Sequence, residues 1–196
     1  FIERLDGIGV ISKEDALSYG YTGPNLRASG VEFDLRRATP YLQYDKVDFK
    51  IPTFSEGDSL ARYFVRADEV RESAKIVRQV LQLMTPGDIK ANLPKSVLPQ
   101  KAEVYSKMEE LIHDFMIVNF GINPPVGEVY HAIEGSKGEL GFYIVSKGEG
   151  HPWKCKIRSP SFIHIQSLPH LVKGRMISDV VAIIGSIDPI MGEADK

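Results

Sequence analysis

The chain of 196 residues has one cysteine, Cys155, and so cannot close an internal disulfide. That fits a reducing compartment, and it excludes a four-cysteine iron–sulfur cluster or zinc site held by this chain alone. Long hydrophobic runs are absent. None approaches the roughly 20 residues needed to span a bilayer, so membrane association is expected only through partners. Neither sign of charge is in excess: 24 Lys and Arg against 26 Asp and Glu leave a net charge of −2. Nothing in that balance draws the chain toward nucleic acid or an anionic membrane. The chain shows neither an initiator methionine nor a secretory leader, and Phe1 begins inside a pattern, so a fragment of a longer chain is expected. A nucleotide-binding loop is missing too. Residues 134–141 carry three glycines and one lysine, but the G-x-x-x-x-G-K-[ST] spacing is absent and no helix follows.

What remains is a composition of 43% hydrophobic and 26% charged residues, that of an ordinary globular protein with chain enough for one or two domains. Residues 11–20 read as a short helix, with Ser12 and Asp15 as a capping box and Gly20 as its left-handed stop. The loop-rich stretch that follows carries Arg27, Arg36 and Arg37. These could bind a phosphate or a partner's carboxylates, or pair with the local acids Glu32 and Asp34. Residues 47–52 alternate as a short strand that ends at a proline. Residues 57–84 are the clearest helix, about 42 Å long at 1.5 Å per residue. Leu60, Tyr63, Phe64, Ala67, Val70, Ala74, Val77, Leu81 and Met84 form its apolar stripe, expected to face the core. Arg62, Arg66, Glu69 and Arg71 fall on the face expected to be solvated, Asp58 suits the first turn, and Pro86-Gly87 ends it.

Residues 86–100 read as a polar connector, and 102–120 as a second helix stopped by Gly121. His113 on that helix reads as a hydrogen-bonded structural histidine. The period then changes to two. Glu128–Glu134 and Leu140–Ser146 read as a hairpin, and Lys154–Arg158 as a third antiparallel strand. After Pro160, Ser161 is expected to cap a short helix, with Pro169 and Gly174 separating it from the last one. Residues 176–184 are apolar almost all round and so expected to be buried, with Asp179 as a cap or first-turn acid. The tail then gathers Asp188, Glu193 and Asp195 directly behind that apolar run.

The carboxyl-terminal quarter carries Lys156-Ile157-Arg158, Pro160, Phe162, His164, Gln166, Leu168, Leu171, Gly174, Asp179, Ala182-Ile183, Gly185-Ser186-Ile187-Asp188, Ile190, Gly192-Glu193 and Asp195. In that order and spacing it resembles the end of the 49 kDa-type quinone-site subunit of respiratory complex I. Leu26-Arg27-Ala28-Ser29-Gly30-Val31, Asp34-Leu35-Arg36, Arg62-Tyr63, Arg66 and Glu69 extend the likeness over the whole chain. The resemblance implies an α+β fold, in which long helices form a bundle beside a small antiparallel sheet. It would be the carboxyl-terminal half of a fold like that of [NiFe] hydrogenase large subunits. The segments are then 1–56 as loop-rich entry, 57–127 helical, 128–158 stranded, and 159–196 as final helix and tail.

The resemblance further implies a subunit of a proton-pumping NADH:quinone oxidoreductase at the cytoplasmic face of the inner membrane, reaching the membrane arm through partners. Quinone would be its substrate and the [4Fe–4S] cluster would belong to the partner small subunit, with no cofactor or metal on this chain. Asp188, Gly192 and Glu193 stand at the matching quinone-cavity positions, and Ile190 and Met191 are cavity candidates that would supply apolar wall. Arg27, Arg36, Arg62, Arg66, Arg158 and Asp179 are candidates for structure or partner contact, and no residue is assigned a catalytic role. Asp188, behind an apolar run, is expected either to feel desolvation or to form a buried salt bridge to an arginine such as Arg158 or one on the partner. Three alternatives stay open. One is a ferredoxin- or F420-dependent relative, to whose tail wording this chain is similar. Another is a membrane-bound [NiFe] hydrogenase relative, although Ile190 and Glu193 replace the two thiolates of the Asp-Pro-Cys-x-x-Cys motif. The last is a structural docking module without a redox role.

Overall fold

The computed structural model describes residues 1–88, 93 and 96–195, so part of the connector expected over 86–100 lies outside the described residues. Among them run eleven helices. They are α1 (Ile2–Leu5), α2 (Lys13–Tyr19), α3 (Gly23–Arg27), α4 (Leu35–Ala38), α5 (Ser59–Leu83), α6 (Lys101–Val104), α7 (Met108–Phe120), α8 (Pro160–Gln166), α9 (Leu168–Val172), α10 (Ile177–Ile187) and α11 (Met191–Ala194). Strands β1 (Gly127–Gly135), β2 (Gly138–Ser146) and β3 (Lys154–Arg158) pair in that order into one antiparallel sheet, so the fold is α+β. The chain divides into two compact units, residues 1–84 with 131–141 and 157–196, and residues 85–130 with 142–156.

In the first unit, local chemistry sets the helix ends. Ser12 Oγ accepts from Asp15 N at the start of α2, and Gly20 closes it at φ 78°. Asp58 is the N-cap of α5, one residue ahead of the first turn. Its Oδ1 accepts from Ala61 N at 2.7 Å and its Oδ2 from Gly7 N at 2.8 Å. The core gathers Ile8, Ile11, Ala16, Tyr21, Leu26, Leu171, Ile183 and Ile187, with a second cluster at Ala28, Ala61 and Val65.

Several expectations reverse here. On α5 the apolar stripe is not the core face: Tyr63, Phe64, Val70, Val77, Leu81 and Met84 are exposed. The buried face is Ser59, Ala61, Arg62, Val65 and Ile76, because backbone carbonyls and hydroxyls from neighbouring segments receive the arginine. Residues 47–52 do not join a sheet. Their backbone is satisfied by α5 side chains, Gln79 bonding both N and O of Asp48 (2.8 and 2.6 Å) and Glu72 accepting from Lys50 N (2.8 Å). Val47 and Phe49 meanwhile pack on Ile76. Ser159 rather than Ser161 caps α8, with Pro160 at its first turn, and Pro169 opens α9 instead of merely breaking the chain. On α10 only one face is covered: Asp179, Ile183 and Ile187 are buried, whereas Ile177 is 91% exposed.

In the second unit the helix expected over 102–120 is two. Ser106 Oγ bonds the Ala102 carbonyl at 2.9 Å, the local competition that lets the chain turn between α6 and α7. Glu109 and Glu110 sit in the first turn of α7, and Gly121 closes it with its N–H on Ile117 O. No α7 residue is buried. His113 Nε2 lies 3.3 Å from Val97 O, a structural contact.

Gly57 holds the first unit's tightest backbone crossing. At φ +66° its N–H bonds Ala28 O (2.9 Å) and its carbonyl receives Ile11 N (3.0 Å). A Cβ there would lie 2.2 Å from Ile11 O, whereas at Gly7 (φ +64°) it would meet nothing within 4 Å. Gly7→Ala should therefore cost only the left-handed backbone strain of about 1–2 kcal/mol. Gly57→Ala should cost clearly more, since the same strain is joined by a clash with backbone. Thermal unfolding of the two variants side by side checks this, and equal losses would contradict it.

Candidate functional site

The first unit concentrates its charged side chains where α3, α5, the β1–β2 turn and the end of α10 meet. The close approach of two glycines makes that meeting possible. A Cβ on Gly23 would lie 2.4 Å from Gly138 Cα, and one on Gly138 2.5 Å from Thr22 Oγ1. Thr22 Oγ1 accepts from Glu139 N at 3.1 Å, which fixes the hairpin turn against the start of α3 and places Lys137. Lys137 Nζ then donates to Asp188 Oδ2, and Arg66 Nε lies 3.8 Å from the same oxygen.

Asp188 is the left-handed C-cap of α10 (φ 57°, ψ 56°), one of only two non-glycine residues with positive φ among those described. Asp188 does not pair with Arg158. The Asp188 side chain is 45% exposed and paired with Lys137. Arg158, at the end of β3, instead bonds the Glu139 and Gly20 carbonyls at 2.7 and 3.2 Å.

Arg27 is the buried centre of this region. Its Nε donates to Glu69 Oε1 (2.7 Å), and its Nη1 to Phe33 O (2.9 Å) and Glu134 Oε1 (2.9 Å). Asp34 lies 3.7 Å away and is gripped by both nitrogens of the Arg36 fork. Of the sequence alternatives for Arg27 and Arg36, ion pairing holds, with Asp34 but not with Glu32, and with two distant acids no local reading could supply. Burial pushes the Asp34 carboxyl up, yet Arg36 and Arg27 outweigh it and hold it below the ordinary carboxylate range. Burial leaves Glu134 raised, with Arg27 pulling it back. Arg27, Arg36, Arg66, Glu69, Glu134, Lys137 and Asp188 line a polar cavity of about 400 Å³.

Arg62, expected on a solvated face, is fully buried, with no carboxylate in salt-bridge range among the described residues. It donates to Ser186 Oγ (2.7 Å), to Gly57 O (3.1 Å) and to Gly9 O, and burial lowers it to about 10. Asp179 lies in the first turn of α10, accepting from Met176 N (3.1 Å) and 3.0 Å from Arg4.

The other tail residues separate from Asp188. Buried Ser161 donates to Glu193 Oε2 (2.6 Å) and accepts from Ile190 N (3.3 Å), clamping the start of α11. Ile190 and Met191, expected as apolar wall, are exposed and do not line the Asp188 cavity. Gly192 is exposed, with open space where a Cβ would stand.

Sequence reasoning missed the hub behind Asp188. Asn25 is fully buried; its Oδ1 accepts from Arg66 Nη2 (2.9 Å), and its Nδ2 donates to Ile187 O (3.1 Å) and meets His164 Nδ1 (3.0 Å). Arginine only donates and a carbonyl only accepts, so this orientation of the amide is forced. His164 Nδ1 must then accept, which makes the imidazole neutral with its proton on Nε2. Burial, then Arg66 and Arg158, lower His164 to about 3. The available signal was His164 itself within the tail motif; Asn25 carried none.

A family model described as the 49 Kd subunit of the respiratory-chain NADH dehydrogenase matches residues 1–196. The chain belongs to this family. It is 61% identical over 196 residues to a D-type NADH-quinone oxidoreductase subunit of Chloroherpeton thalassium, covering all of this chain and 44% of that relative. It is 54% identical to the D-type subunits of the NADH-quinone oxidoreductases of Salinibacter ruber and Methylacidiphilum infernorum, again over all of this chain and 44% and 47% of theirs. The chain thus spans less than half the length of these 49 kDa-family relatives.

The neutral His164 makes a testable demand on stability. Its folded value of about 3 lies below the unfolded value, so below about pH 6.5 the unfolded chain binds a proton the folded chain refuses. Stability should therefore fall as pH drops from about 6.5 toward 3, by at most about 1.4 kcal/mol per pH unit from this group. Glu134, being raised, acts in the opposite sense, and Asp34, being lowered, acts only at the acid end. The His164→Gln variant isolates the histidine: subtracting its denaturation profile from the parent's should leave a slope confined to this window. A flat difference would show that His164 is not held neutral.

Proposed function

We propose that this chain serves as part of a complex I subunit, walling the quinone-reduction cavity together with the small subunit that bears the terminal [4Fe–4S] cluster. The 49 kDa-family match and the names of the relatives support an NADH-quinone oxidoreductase as the assembly. Within this reading the chain is the carboxyl-terminal half of a hydrogenase-large-subunit-like fold. It sits at the cytoplasmic face of the inner membrane in a proton-pumping complex. No described helix is long and apolar enough to cross a membrane. In this reading the attachment runs through partner subunits. The cluster supplies electrons to the quinone; this chain's own part is shape and electrostatics.

The seat of Asp188 is the observation that carries the proposal. An acidic side chain at the end of an apolar helix is turned by a left-handed residue toward a lysine and an arginine, on the wall of a polar cavity. Quinone reduction consumes two protons and develops negative charge on the head group. A carboxylate whose ion pairs reach such a site would orient proton-bearing neighbours and respond to that charge without supplying the electrons. The hydrogenase reading fits poorly, because a nickel–iron centre needs soft thiolates and Ile190 and Glu193 stand in their places.

The test uses the full-length chain, tagged and purified gently from native membranes. Mass spectrometry should find the cluster-bearing small subunit and antiporter-like membrane subunits, and the flavin-bearing arm if NADH is the donor. In the same complex Asp188→Asn should lower quinone reduction about tenfold while assembly persists. Hydrogenase maturation proteins with nickel, or an Asp188→Asn complex of unchanged quinone reduction, would overturn the reading; the latter would favour a purely structural docking role.

A further inference from the structure

The peptide that precedes Asp188 is fixed at both ends. Its N–H, on Asp188, bonds Ile184 O at 3.0 Å, and its carbonyl, on Ile187, receives both Asn25 Nδ2 and Arg66 Nη2 at 3.1 Å. Asp188 follows with φ 57°, a left-handed conformation that costs most residues with a Cβ about 1–2 kcal/mol and aspartate less. Such strain persists only where the surroundings over-determine it. The clamp on the Ile187 carbonyl supplies that determination, and the Asn25 amide is the part of it that does nothing else for Asp188. Asn25 touches neither Asp188 nor the polar cavity lined by Arg66 and Lys137.

We infer that Asn25 is a positioning residue: by holding the Ile187 carbonyl and aligning Arg66, it sets the left-handed turn that presents Asp188 to Lys137. This rests on the proposed quinone-site role of Asp188. Its chemistry depends on amide polarity, since one side of Asn25 must accept from Arg66 while the other donates to the Ile187 carbonyl and to His164 Nδ1. A carboxylate of nearly the same shape keeps the first contact and loses both others. It would set an anion against a carbonyl oxygen and an unprotonated imidazole nitrogen. The charged and titratable groups facing this point are His164 on α8, Arg62 and Arg66 on α5, Arg158 on β3, and Tyr21 ahead of α3. Of these, only His164 can take up a proton to restore a donor toward residue 25.

Asn25→Ala, Asn25→Asp and Asp188→Asn would each be built into the full-length chain in the assembled complex. Quinone reduction is read with a short-chain ubiquinone, and electron entry with ferricyanide, which is expected to be unchanged. Asn25→Ala should lower kcat for the quinone about fivefold to tenfold with little change in KM. Asn25→Asp should show a similar loss at about pH 8 and recover part of it by about pH 6, as the new carboxylate or His164 gains a proton. A residue that only supports the fold would give a loss independent of pH, so a pH-independent deficit in Asn25→Asp overturns the inference. So does unchanged kcat in both Asn25 variants beside an impaired Asp188→Asn complex. If Asp188→Asn is itself without effect, the quinone-site reading fails instead. Should Asn25→Ala fail to assemble, the near-isosteric Asn25→Asp decides alone through its pH profile.

Discussion

The guanidinium of Arg27 is the constraint on which the charged half of the molecule depends. It is buried, and a buried cation is tolerated only when its donors are met by well-placed acceptors. Glu69 comes from α5, Glu134 from β1, and the Phe33 carbonyl from the segment before α4, so satisfying one side chain fixes three separated stretches. Glu134 completes the bracket by accepting from Leu35 N at 3.2 Å, which ties the start of α4 to the strand. The planar fork of arginine suits this task; a lysine would offer one point of charge where several directions are needed.

From that anchor the hairpin turn inherits its position, and Lys137 with it. The order of dependence runs from Arg27 to Glu134, from Glu134 to the turn, and from the turn to the lysine that meets Asp188. Arg66 approaches the same carboxylate from α5, a helix oriented by its own buried arginine, Arg62, against the Gly9 and Gly57 carbonyls. Burial lowers Arg62 and Arg66, with Asp188 and Glu69 opposing the effect at Arg66. The region thus gathers cations before it gathers apolar wall. Asp188 accordingly meets Lys137 and Arg66, whereas Ile190 and Met191 are exposed.

How far the sequence could be read varies with the kind of interaction. Ser12, Gly20 and the β-hairpin rest on rules that span a few residues, and they were legible. The tail motif singled out Asp188, because the spacing of Gly185, Ser186, Asp188 and Glu193 is local. Its partner Lys137 lies 51 residues earlier in the chain, and no local pattern encodes such a pairing. Helix α5 shows a deeper difficulty. Periodicity located the helix but chose the wrong face, because an apolar stripe was weighed without the carbonyls that make a buried Arg62 affordable. Residues 47–52 failed for a related reason: their alternation was real, but Gln79 and Glu72 side chains stand where a neighbouring strand would have been.

The two clamps on the tail differ in what they fix. Ser161 holds Ile190 and Glu193 by a hydroxyl, which can rotate and both donate and accept, so it anchors without dictating polarity. Asn25 holds Ile187 by an amide whose ends are chemically distinct and whose orientation is forced by Arg66 on one side. Only the second clamp carries direction, and it lies next to the strained residue. A tail fastened by Ser161 alone would remain attached to α8 yet leave the Ile187–Asp188 peptide free to tilt. The carboxylate would then share its time between Lys137 and solvent. Attachment and orientation are thus separate properties of this tail, assigned to different side chains on α8 and α3.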